Sequence, residues 1–156
     1  MDAAQPGSDL IAIDTNVLVY AHRAGVAQHG AARAAIEAAA RDPRGWGIAA
    51  PSVAEFWLVV THPSSAGGPS QPRDARRFLE RLVATAGMRV YTPGLTMIAR
   101  LLALAEDLGV TGARVFDLQI GLVAQDGGAT ELWTHDRGFR APPGMTIVDP
   151  IRQSVA

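Results

Sequence analysis

An α/β domain with a mainly parallel sheet of about five strands is the fold class this sequence predicts, and three observations carry that prediction. Short, β-prone apolar runs alternate with longer helix-forming segments along the whole chain. Several helical segments open directly after a strand, as crossover connections require. The length of 156 residues suits one domain with a sizeable core, and 48% hydrophobic with 19% charged residues is ordinary globular composition.

The elements follow in order. Residues 1–8 (MDAAQPGS) read as a flexible N-terminus, and 9–152 as the single domain. Leu10–Asp14 is expected as a short buried strand and Thr15–Arg23 as a helix. The Ala-rich stretch Gln28–Arg41 favours helix, and Asp42–Gly45 (DPRG) a turn. Gly47–Ala50 forms a second strand, with Pro51 or Ser52 opening a helix to about His62. Pro63–Pro72 is a linker within the domain. Arg73–Ala86 is amphipathic, with Phe78, Leu79, Leu82, Val83 and Ala86 on one side. Met88–Thr92 is a third strand, and a helix beginning near Pro93 carries Ile98, Leu101, Leu102, Ala105 and Leu108 as its core stripe. Arg114–Gln125 is a further helix, and Glu131–Thr134 and Met145–Val148 are the last two strands.

Composition excludes several chemistries. There is no Cys, which removes disulfides, thiol catalysis and thiolate-ligated zinc. All fourteen basic residues are Arg, so lysine-dependent phosphate chemistry has no lysine to use, and no P-loop motif occurs. A net charge of −1 gives no bulk field for nucleic acid. The N-terminus lacks a secretory pattern and the apolar runs are too short to span a bilayer, so a cytoplasmic protein with no membrane partner is expected.

Three carboxylates stand without charged neighbours. Asp14 is the only charge in Leu10–Ala21, Glu55 the only one from Trp46 to Thr61, and Asp117 the only one from Val115 to Gln125. A carboxylate in a buried segment is costly unless paired, hydrogen-bonded or bound to a cation. On the predicted topology Asp14 ends the first strand, Asp136 follows the fourth, and Glu55 and Asp117 open helices. All four therefore fall on the carboxyl edge of the sheet, where ligands bind in such folds. Structural roles compete with this reading. Asp14 could cap the next helix, Asp117 could serve its helix dipole, Ser52-Val53-Ala54-Glu55 fits a capping box, and Asp136 could form an Asx-turn. Four acids on one edge exceed what capping requires. Hard oxygen donors favour Mg²⁺, with Mn²⁺ as a substitute, and such a site suits phosphodiester hydrolysis by an activated water. Thr15, Asn16 and Thr134 are polar neighbours suited to orienting the acids or a substrate.

Four segments, IDTNVLVYAHR at 13–23, PSVAEFWLVVTHP at 51–63, ARVFDLQIGLVAQ at 113–125 and ELWTHDRGF at 131–139, resemble the PIN-domain ribonucleases, and more narrowly the VapC-type toxins of toxin–antitoxin pairs. The resemblance implies a three-layer α/β/α sandwich and a Mg²⁺ site at Asp14, Glu55, Asp117 and Asp136. It further implies endoribonuclease activity, a homodimer and a small antitoxin partner. In close relatives Asp136-Arg137-Gly138-Phe139 often reads D-R-D-F, so here a second acid is replaced by Gly138, which leaves the number of metals open. A PIN-like RNA- or protein-binding module without turnover is the alternative. Arg137 and Arg140 are candidates for RNA phosphate contacts. Arg73, Arg77 and Arg81 read as a solvated face, His135 as a turn residue, and Trp57 and Trp133 as core or dimer packing.

Overall fold

A computed structural model describes residues 9–152; the expected flexible N-terminus at 1–8 lies outside the described residues. The chain runs β1 (Leu10–Ile13), α1 (Thr15–His22), α2 (His29–Arg41), β2 (Trp46–Ala49), α3 (Ala50–Thr61), α4 (Pro72–Ala86), β3 (Arg89–Tyr91), α5 (Met97–Asp107), α6 (Arg114–Asp126), β4 (Ala129–Trp133) and β5 (Thr146–Val148). The strands form one five-stranded sheet in the order β3-β2-β1-β4-β5, and every pairing is parallel.

Alternation along the central strands builds two cores. Ile11 and Ile13 of β1, with Trp46 and Ile48 of β2, face α1–α4 and pack against Val17, Leu18, Ile36 and Phe56. Leu10, Ala12 and Ala49 face the other way, toward Met97 of α5 and Leu118, Leu122 and Val123 of α6. A sheet covered on both faces is the three-layer sandwich, and full burial of each such side chain stabilises by about 1.5–3 kcal/mol. Two contacts fix the strands closely. Tyr91 donates its buried hydroxyl to the Ile11 carbonyl at 2.7 Å, spanning β2. Gly47 admits β3, since a Cβ there would lie 2.5 Å from the Arg89 carbonyl oxygen.

The helix boundaries follow local chemistry. α4 starts at Pro72 and stops at Gly87, whose φ of 68° suits glycine and whose N–H satisfies the Leu82 carbonyl. In the structure α5 begins at Met97 rather than near Pro93, which turns its core stripe by one position. Met97 is buried, Leu101, Leu104 and Ala105 pack inward, and Ile98 and Leu102 stand 60% and 66% exposed. Val83 likewise lies outside the core side of α4, which is lined by Ala75, Phe78, Leu79, Leu82 and Ala86. Among the described residues no helix is long and apolar enough to cross a membrane.

Candidate metal centre

Parallel strands and returning helices bring the four acids to one edge. Asp14 leaves β1 with its N–H bonded to the Trp133 carbonyl at 2.9 Å, which ties it to the end of β4. It is 7% exposed. Its Oδ1 accepts from Thr15 N at 2.8 Å, capping α1, and its Oδ2 accepts from the Thr134 hydroxyl at 2.8 Å. Capping and site roles thus share one side chain. Thr134 Oγ1 also accepts from Asp136 N at 3.1 Å and Asn16 Nδ2 at 3.3 Å, so one hydroxyl links Asp14, Asn16 and Asp136.

Burial pushes the Asp14 carboxyl up to about 6; its hydrogen bonds from Thr134 and Thr15 resist this, and the charges of Glu55 and Asp117 add to it. Glu55 is also raised, chiefly by burial, with the Asp117 charge adding to the effect and the Thr15 hydroxyl opposing it. No hydrogen bond of ordinary geometry joins that hydroxyl to Glu55, for Thr15 Oγ1 is buried without a partner. Asp14, Glu55 and Asp117 therefore lie within reach of one another's fields, and among the described residues Asp14 has no cationic hydrogen-bond partner.

Asp117 sits in the first turn of α6. Its Oδ2 accepts from Arg114 Nη1 at 3.0 Å and from Arg140 N at 3.3 Å. The same Arg114 nitrogen reaches Asp136 Oδ2 at 2.6 Å, and this guanidinium holds Asp136 below the usual carboxylate range. Asp136 Oδ1 accepts from Gly138 N at 2.8 Å, the Asx-turn. Arg137 is exposed, and the Arg140 guanidinium donates to the Leu108 carbonyl at 2.9 Å.

The capping box is corrected by the structure. α3 opens at Ala50 with Ala49 as its N-cap, so Ser52 lies inside the first turn and Glu55 one turn further on. Ser52 Oγ is buried with no partner, and the structural duty assigned to Glu55 disappears. The outer face of α3 is apolar yet open: Trp57 is 39% exposed, with Leu58 and Val59 beside it. Lack of charge in this segment reflects an uncovered surface as much as burial. Leu58 and Phe116 flank a groove of about 420 Å³ that reaches Glu55. His135 is more than a turn residue, for Nδ1 lies 3.0 Å from the Asp149 carboxylate and its ring meets Tyr20 edge-on.

Among the described residues no three His, Cys, Asp or Glu side chains form a closed ligand set, so the acids meet as neighbours rather than as a finished cage. The donors nevertheless suit a hard divalent cation. Among the described residues no cation pairs with Asp14 or Glu55 and Asp117 Oδ1 accepts no hydrogen bond, and the chain has no thiolate. Sequence reasoning did not single out Arg114. Its signal was the basic residue three positions before Asp117, one helical turn away.

A family model, described as the PIN domain, matches residues 11–144. The chain belongs to the PIN-domain family. Ribonuclease VapC43 of Mycobacterium tuberculosis is 32% identical over 130 residues, covering 83% of this chain and 88% of that one. Among solved structures, VapBC2 from Rickettsia felis, bound to a DNA fragment from its promoter, superposes with a TM-score of 0.64 at 17% identity, covering 89% and 97% of the two chains. Mycobacterium tuberculosis VapC20, a toxin that cleaves the sarcin-ricin loop, gives 0.63 at 18% identity over 83% and 92%. The PIN-domain fold agrees with the all-parallel sandwich described above, and the curated relative carries the name of a VapC ribonuclease, the type the four segments resemble.

Proposed function

We propose that this PIN-domain chain is a Mg²⁺-dependent endoribonuclease and the toxin of a toxin–antitoxin pair. The observation that carries the reading is the gathering of Asp14, Glu55 and Asp117 at one sheet edge, each in the negative field of another and Asp14 without a cationic partner. Membership of a family that includes VapC ribonucleases supports the substrate class.

When bound, Mg²⁺ or Mn²⁺ would acidify a water and offset charge developing on the phosphoryl group. The residues divide the remaining work. Asp14, fixed by Thr15 N and Thr134 Oγ1, is the rigid anchor of the ligand set. Glu55 and Asp117 complete it, and Glu55, half-buried with raised proton affinity, is placed to take a proton from the attacking water. Asp136 is the fourth acid, and Asn16 and Thr134 hold the loop that carries it. Arg137, exposed beside this edge, and Arg140 would meet RNA phosphates. The exposed apolar residues of α3 and α5 offer cover for a protein partner, in keeping with an antitoxin and a second copy of the chain.

Purified protein should cleave RNA in Mg²⁺ and stop in EDTA. Asp117→Asn should abolish cleavage while keeping the wild-type melting profile, and should relieve growth arrest on expression. Full cleavage by the Asp117→Asn protein, or activity that survives EDTA, would overturn the reading.

A further inference from the structure

The groove between α3 and α6 opens directly onto the acid edge. Pro51 and Leu58 line it from α3, Phe116, Gln119 and the buried Ile120 from α6, and Glu55 belongs to the same lining. Its volume of about 420 Å³ lies within the roughly 300–1,000 Å³ of small-ligand sites. Phe116 immediately precedes Asp117 and is 58% exposed, so an aromatic ring stands open beside an acid of the site. Gln119 lies three positions on, one helical turn along α6, which brings both side chains to one groove. The two glutamines of α6 differ in their engagement. Gln125 donates to the Pro143 carbonyl at 2.8 Å, whereas half-buried Gln119 makes no hydrogen bond among the described residues.

The chemistry of the lining selects an occupant. Glu55 is the one charged residue in it, and a carboxylate there repels a phosphate or an acidic side chain placed in the groove. An uncharged planar ring with polar edges meets no such penalty. Its face covers Phe116, and its edge meets the Gln119 amide, which both donates and accepts. A nucleobase has this shape, and stacking on aromatic side chains is how unpaired RNA bases are held. Glu55 belongs to the groove and to the acid set alike, so an RNA whose backbone crosses the acids carries a flanking base to the groove.

We propose that the α3–α6 groove is a base-binding subsite, in which Phe116 stacks on an unpaired RNA base flanking the scissile phosphate and Gln119 reads the edge of that base. The inference rests on the endoribonuclease reading above. Phe116 supplies affinity that is indifferent to base identity, since every base has a π-face, and Gln119 supplies discrimination through its amide.

The test uses the full chain, with melting curves and light scattering to check folding and oligomeric state. Binding is read from the fluorescence anisotropy of short, labelled, unstructured oligoribonucleotides in Mg²⁺, on an Asp117→Asn background that prevents turnover. Cleavage is read with Asp117 intact, by sequencing the RNA ends. Phe116→Ala weakens binding on the order of tenfold, and Phe116→Trp restores it. Gln119→Leu keeps the affinity for RNA of mixed sequence but flattens the base preference on one side of the cut. Leu95→Ala, which truncates a fully exposed leucine outside the groove, behaves as wild type. Wild-type affinity in Phe116→Ala, together with an unchanged cleavage map in Gln119→Leu, overturns this proposal while leaving the endoribonuclease reading intact. Loss of a dimer in Phe116→Ala with RNA affinity unchanged assigns the groove to a second copy and overturns it too. If Phe116→Ala does not fold, Phe116→Leu and Gln119→Leu decide. Absence of RNA binding and cleavage in wild type overturns the proposal together with the endoribonuclease reading.

Discussion

Replacing Asp14 by Asn should change the stability of the metal-free protein with a sign that depends on pH. Burial raises this carboxyl from 3.8 to about 6, roughly two tenfold steps in proton affinity, and each step is worth about 1.4 kcal/mol. Holding Asp14 ionised in the fold therefore costs about 3 kcal/mol at neutral pH. The folded protein binds this proton more tightly than the unfolded chain does. The group's contribution is thus most favourable below pH 3.8, falls as pH rises, and levels off above about 6. Asparagine keeps the shape and still accepts from Thr15 N. It removes the acceptor of the Thr134 hydroxyl, whose oxygen already receives two donors, at a cost of about 1–1.5 kcal/mol. In EDTA the variant should be about 1 kcal/mol less stable than wild type near pH 4 and about 1.5–2 kcal/mol more stable at pH 7.5. For a chain of this size the latter corresponds to a melting temperature higher by about 3–8 °C. Thermal and urea unfolding of both proteins from pH 4 to 8 measures the difference directly, and the other titrating groups largely cancel. A difference that stays flat, or falls, as pH rises through this range refutes the electrostatic account of the site.

Two further outcomes follow from contacts already described. Thr134→Val keeps the shape but removes the hydroxyl that holds Asp14, Asp136 and Asn16 together, so the Asp14 carboxyl should rise further and Mn²⁺ affinity should fall by about 10–100-fold in calorimetric titration; affinity equal to wild type would remove Thr134 from the site. Tyr91→Phe deletes a buried bond to the Ile11 carbonyl and should cost about 1–2 kcal/mol in urea unfolding while RNA cleavage is unchanged, because the sheet loses a tie but the acids keep their positions.

The order and type of every element could be read from neighbouring residues, because strand alternation, helix periodicity, prolines at helix starts and glycines at stops are local signals. So could the oddity of Asp14, Glu55 and Asp117, each alone in an uncharged run. Where reading failed, a helix boundary lay a few residues from its expected place. The core face of α5 turned on its start at Met97, and Ser52 belonged inside α3 rather than at its cap. The pattern around Glu55 could not separate a buried helix from one with an open apolar face, since both are poor in charge.

Sequence alone determined that this chain makes a parallel α/β domain and that its isolated acids share the carboxyl edge, since strand-to-helix order fixes which ends meet. Tertiary structure decided how those acids differ: Asp14 is buried among neutral donors, while Asp136 is paired with an arginine twenty-two positions away. Burial and pairing depend on what folding brings alongside each carboxylate, and no window of neighbouring residues contains that information.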